Sequence, residues 1–224
     1  MKSGRVLVAA VLVASVLPAC APLVIGGIAV GTAIVATDRR TTGAQLDDQS
    51  IQLRVSNELG TAFKDIQKDV HISINSYERK VLLTGEVPTE QAKVQAGDIA
   101  SRSLNVRAVV NELTVAPPSS LSQRTNDTAI GTKVRGQFIN TKELSSNAIS
   151  LVTERGIVYL MGFVTEKEGE IAAYVASRVA GVQQVVKVFD YGTPEEVQRR
   201  RGVSSQPSAP VTATPPAATP GTAR

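Results

Sequence analysis

With 224 residues, 42% apolar side chains, four Tyr, four Phe and no Trp, the chain has room for one medium domain or two small ones with mainly aliphatic cores. Its net charge of +4 owes much to Lys2 and Arg5 near the start and to Arg199, Arg200, Arg201 and Arg224 near the end. Residues 49–115 carry eight basic and eight acidic residues and residues 128–191 carry seven and six, which excludes a nucleic-acid-sized basic domain.

The chain opens with a short basic stretch, Met1 to Arg5, an apolar run from Val6 to Leu17, and "LPAC" at 17–20. This is the layout of a cleaved export signal over 1–19. The one cysteine falls where cleavage leaves it first, and the pattern resembles the bacterial lipoprotein signal, with Pro18 an unusual occupant of its second position. Cys20 is thereby expected to carry a diacylglycerol anchor; an uncleaved apolar anchor with a free thiol is the alternative. Several acyl chains, at about 0.8 kcal/mol per buried methylene, anchor far more firmly than one. Ala21 in the next position, rather than Asp, resembles lipoproteins sorted onward to the outer membrane. The apolar run at 21–36 is shorter than the roughly 20 residues of a spanning helix. It is read either as a surface-hugging part of a linker over 20–46 or as a helix packed in the membrane through Gly27 and Gly31.

An internal repeat follows. Ile51, Val55 and Leu59 match Ile130, Val134 and Phe138, each set recurring every fourth residue like the buried stripe of a helix. The expected N-caps are Asp48 or Ser50 in one copy and Asp127 or Thr128 in the other. Alternating strands come next at 70–74 and 148–152. Then "VLLTGEV" (81–87) matches "VYLMGFV" (158–164), placing Val81, Leu83, Gly85 and Val87, and their counterparts Val158, Leu160, Gly162 and Val164, on one face. A glycine inside a strand implies a kink or a close backbone neighbour. Second helices start at Thr89 and Thr165, and last strands are expected at 108–115 and 184–191. The fold class is therefore α+β: two tandem modules, 47–115 and 127–191, each ordered helix, strand, strand, helix, strand. Two helices cover one face of each three-stranded sheet and leave the other open. Residues 116–126 read as a linker. Residues 192–224, with "RRR" at 199–201 and then a Pro, Thr and Ala-rich run, read as a disordered tail.

The element order, the "GEV" and "GFV" strands and the "ASR" ending each second helix resemble the BON domain, a small periplasmic module. Two copies behind a lipoprotein signal, with "TDRRTTGAQLDDQSIQLRV" (37–55) and "NDTAIGTKVR" (126–135), resemble the dual-BON outer-membrane lipoproteins over residues 20 to about 191. The resemblance implies an anchored protein on the periplasmic face of the outer membrane. It also implies binding of anionic phospholipid through the second module, gathering at division sites and support of outer-membrane integrity. Outer-membrane assembly or cell-wall remodelling proteins are the implied protein partners.

Catalytic inventory is thin. His71 is the sole histidine and is placed by alternation on the open, solvent-side face, with no Ser or Asp at a triad spacing. A lone cysteine makes no dithiol site. Glu166, Glu168 and Glu170 offer acids only and read as partners of a helix dipole. No catalytic residue, metal site, cofactor or nucleic-acid partner is expected.

The copies differ on the open face. In the second module it carries Val152, Tyr159, Met161, Phe163, Val186 and Val188; the matching positions of the first are Asn75, Leu82, Thr84, Glu86, Val110 and Glu112. So apolar a face must be covered. Its cover is either the first module or linker of the same chain, or a partner protein or lipid; a scaffold using this face is the alternative function. On the first helix of the second module, Thr128, Ala129, Thr132, Lys133, Arg135 and Gly136 lie off the buried stripe. Small residues beside two cations suit phosphate headgroups, at about 1 kcal/mol per basic residue near an anionic surface. The residues alone fit an ordinary solvated helix equally well; the resemblance favours lipid. No apolar wedge stands at this turn, where Ala129 lies, so the contact is read as weak or mainly electrostatic.

Overall fold

A computed structural model describes residues 38–204, with backbone alone at 201–204. Cys20, the signal at 1–19, the apolar run at 21–36 and the tail from 205 lie outside the described residues.

Helix α1 (Thr42–Ala62) starts at Thr41, whose hydroxyl accepts from the Ala44 N–H at 3.1 Å. A 3₁₀ stretch at Lys64–Asp69 leads into strands β1 (His71–Tyr77) and β2 (Lys80–Val87), which pair antiparallel. Helix α2 (Glu90–Arg102), capped by Thr89, crosses back to β3 (Ala108–Asn111) and β4 (Thr114–Val115), both parallel to β2. The second module repeats the plan: α3 (Leu121–Asn140), β5 (Ile149–Glu154), β6 (Ile157–Val164), α4 (Glu166–Ser177) and β7 (Gln184–Tyr191), with β6 antiparallel to β5 and parallel to β7.

The predicted stripes form the two cores. Ile51, Val55 and Leu59 meet Val81, Leu83 and Val87, and Ala92, Ala96 and Ala100 bring α2 close to the sheet. Ile130, Val134 and Phe138 meet Val158, Leu160 and Val164, with Ala172 and Ala176 of α4 in the matching role.

Both leading helices extend further toward the N-terminus than their stripes show. Asp48 and Asp127, expected as caps, are buried inside the helices, and α3 starts at a capping box formed by Ser120 and Gln123, within the expected linker. Residues 121–126 are exposed and carry no apolar period, so only the cap signals the true start. The expected tail also begins with structure: α5 (Pro194–Ser204) follows β7 directly.

The strand glycines answer to backbone, not to a covering helix. A Cβ on Gly85, where φ is +108°, would lie 2.1 Å from the His71 carbonyl oxygen; one on Gly162 would lie 2.5 Å from that of Ala148. Each permits a close approach by the neighbouring edge strand or its leading residue.

The sheet faces left free by the helices are not open. Tyr77 and Leu82 of the first module pack against Tyr159, Met161, Phe163 and Val188 of the second, with Val110, Val152, Ile157 and Val186 around them. Central strands β2 and β6 are therefore buried on both faces.

Candidate functional site

The expected lipid-contact residues lie along the outward side of α3. Thr128, Ala129, Thr132 and Lys133 are exposed, while Arg135 and Gly136 are half-buried. A groove of about 550 Å³ runs between α3 and β5, lined by Thr128, Thr132, Arg135 and Gly136 together with Asp127, Gly131, Ile139, Leu151 and Thr153. Ala129 and Lys133 stand outside its lining. Gly131 lets helix and strand approach, since a Cβ there would lie 3.1 Å from Thr153 Oγ1 and 3.3 Å from Leu151 Cδ2. Thr128 and Thr132 donate their hydroxyls to carbonyls one turn back, at 2.9 Å each. The sequence reading missed Ile139, which is 66% exposed and lines the groove. It continues the helical spacing Thr128, Thr132, Arg135, Ile139, and so supplies an apolar residue near the cations, although not at the turn of Ala129.

Among the described residues neither Lys133 nor Arg135 forms an ion pair. They are not the only charges on the longer helix: Arg124 and Asp127 also belong to it. Arg124, although exposed, is engaged locally, its Nε donating to the Ser119 carbonyl at 3.1 Å. The counterpart of Lys133 in the first module, Arg54, donates instead to the Leu104 carbonyl at 2.8 Å.

The proposed interaction face is covered by its own chain. Val152, Tyr159, Met161, Phe163, Val186 and Val188 lie against the first module, and Val197 of α5 completes the cluster. The Arg200 guanidinium sits 3.6 Å from the Phe163 ring centroid and pairs with Glu78. The intramolecular cover thus replaces the partner protein as the occupant of this face.

Polar contacts frame this seam. Lys80 Nζ and Arg107 Nη2 each lie 2.7 Å from a different oxygen of Asp190. Burial pushes the Asp190 carboxyl up, but hydrogen bonds from Lys80 and Arg107 outweigh it and hold the group below the usual Asp range. Arg39, buried just ahead of α1, donates to the Phe163 carbonyl at 2.7 Å and pairs with Glu168. Burial raises the Glu168 carboxyl, and the Arg39 and Thr165 contacts bring it below its ordinary value.

His71 is not on a solvated face as expected. Its side chain is 21% exposed, with Nδ1 3.0 Å from Glu86 Oε2 and 3.8 Å from Glu154 Oε1 across the seam. Glu86 also accepts from the Ser119 N–H at 3.1 Å and from Arg155 Nη1 at 3.2 Å. Burial pushes its carboxyl up, yet Ser119, His71 and Arg155 together hold it low. Glu154 is pushed above the usual Glu range, first by burial and further by the nearby Glu86 and Asp127, against the pull of His71. These three residues are separated by 15 and 68 positions along the chain, so no local spacing announces the cluster.

Among the described residues, no helix is long and apolar enough to cross a membrane. The BON domain family model matches residues 47–117 and 126–193. The chain is 38% identical over 177 residues to the outer membrane lipoprotein DolP of Haemophilus influenzae, covering 78% of this chain and 90% of that protein. It is 31% identical over 156 residues to a 21 kDa hemolysin of Actinobacillus pleuropneumoniae, covering 69% and 79% respectively. The chain belongs to the BON-domain family, as a lipid-anchored outer-membrane protein of the periplasm that carries two such domains in tandem.

Proposed function

We propose that the second BON domain binds anionic phospholipid through the outward side of α3, and that the protein thereby marks membrane regions, division sites among them, and supports outer-membrane integrity. The observation that carries this reading is the pair Lys133 and Arg135, without carboxylate partners among the described residues and set beside an uncovered groove of about 550 Å³. Unneutralised cations near a bilayer attract acidic headgroups at about 1 kcal/mol each. Small Thr and Gly side chains let phosphate oxygens come close, and Ile139 adds an apolar contact. Cys20 carries the acyl anchor in this account and holds the domains near the surface they read. The role is one of binding and placement, without catalysis. Protein partners in outer-membrane assembly or cell-wall remodelling dock away from the buried sheet faces.

Flotation with vesicles tests this reading. A soluble chain begun at residue 38 keeps Arg39 and Arg40 while omitting the apolar run. It should float with vesicles containing phosphatidylglycerol, fail to float with purely zwitterionic ones, and lose binding as salt is raised. Equal flotation with both vesicle types would contradict it.

A further inference from the structure

His71, Glu86 and Glu154 bring three donors of metal-ligating type to one point on the seam between the domains. Their nearest ligand atoms all lie within 4.8 Å of one another. Ligands held at about 2.0–2.1 Å around a tetrahedral ion are roughly 3.3 Å apart. The observed 3.0 Å from His71 Nδ1 to Glu86 and 3.8 Å to Glu154 bracket that spacing, and the third pair, Glu86 and Glu154, lies within 4.8 Å.

The surroundings fit a metal as well. Ligating carboxylates are normally oriented by hydrogen bonds of their own. Glu86 has such support on both oxygens, from the Ser119 N–H and the Arg155 guanidinium. Glu154 is only 7% exposed and accepts no hydrogen bond from any described residue. A carboxylate so placed is costly without a cationic neighbour, and it points at the same place as His71 and Glu86.

We propose that His71 Nδ1, Glu86 and Glu154 bind one divalent d-block cation of the Zn²⁺ class, with water completing the coordination. One imidazole nitrogen and two carboxylates suit such an ion better than Ca²⁺, which takes six to eight oxygens. Two ligands come from the first domain and one from the second, so the ion ties the domains together across their seam. The competing account uses the same atoms without metal: the His71 Nδ1–H held between the two carboxylates.

The test uses the full acylated protein, purified in detergent without a histidine tag and stripped with a chelator. Titration with ZnSO₄ by calorimetry should show one equivalent bound per chain, and saturating Zn²⁺ should raise the melting temperature by linkage. Co²⁺ should give the visible absorption of a low-coordinate site with nitrogen and oxygen ligands, a readout that needs no variant. Glu154→Gln should weaken Zn²⁺ binding by at least about tenfold, whereas Glu170→Gln, at an exposed position of α4, should leave it unchanged. Absence of uptake by the wild-type protein would overturn the proposal in favour of the metal-free hydrogen bond. So would Zn²⁺ binding that survives both Glu154→Gln and His71→Gln at wild-type strength.

Discussion

Asp48 and Asp127 do the same work in the two domains, each a buried helix carboxylate that holds the hairpin turn of its own sheet. Asp127 accepts from the N–H groups of Arg155 and Gly156, both at 2.8 Å. Asp48 accepts from those of Glu78 and Arg79 at 2.9 and 2.8 Å, and from Ser76 and Arg40 besides. All four turn residues have positive φ, a conformation that turns their N–H groups toward the helix and costs energy where the residue is not glycine. The carboxylate offsets that cost.

Removing it should be expensive. Asp127→Ala leaves two N–H groups without their charged acceptor and should destabilise the protein by about 2–3 kcal/mol in urea unfolding. Asp127→Asn, which keeps one oxygen, should cost distinctly less. Equal stability of Asp127→Ala and wild type would remove this anchor from the account of the fold.

The twin strand glycines should be unequal. An added methyl meets backbone at 2.1 Å at Gly85 and at 2.5 Å at Gly162, and only backbone movement can relieve either contact. Gly162→Ala should cost roughly 1–3 kcal/mol, the range for overpacking, and Gly85→Ala more. Thermal melts of the two variants decide the order.

Acid should loosen the seam through Asp190. Its carboxyl sits below the ordinary value in the folded protein because Lys80 and Arg107 bind it against the opposing effect of burial. The resulting stability is complete above the unfolded Asp value, near 3.9, and is lost as pH falls through the lower folded value. Asp190→Asn should therefore lower the melting temperature at pH 7 while flattening its decline below about pH 4. Parallel melting curves for the two proteins across that range would show that the pair contributes nothing.

The core stripes and strand alternation were legible because burial imposes a period: Ile51, Val55 and Leu59 could be read as one helix face without any knowledge of the sheet. The apolar face around Met161 was legible as a surface needing cover. The first module was one of the two covers offered, but the choice between them was not legible, because Tyr77 and Leu82 carry no mark of what they touch. Charges were harder still. Glu86 looked like one polar position on a solvated face, and its partners Arg155 and His71 lie 69 and 15 residues away. Ion pairs across a domain seam leave no periodicity. Helix α5 escaped for a related reason, since Val197 is the one apolar residue it buries in the seam among its described side chains. At the candidate lipid site the cations and small residues could be picked out, but Ile139 could not, because the groove forms only when β5 lies beside α3.

Charge reversal on α3 tests the central claim most directly. Lys133→Glu with Arg135→Glu, in the soluble chain begun at residue 38, replaces two attractions of about 1 kcal/mol with repulsions of the same order. Both residues are off the buried stripe, so the melting temperature should be retained. Flotation with phosphatidylglycerol-containing vesicles should fall by more than about tenfold, while reversal of Arg54 and Glu58 in the first domain should change little. A folded double variant that floats as well as wild type would contradict lipid binding at this site.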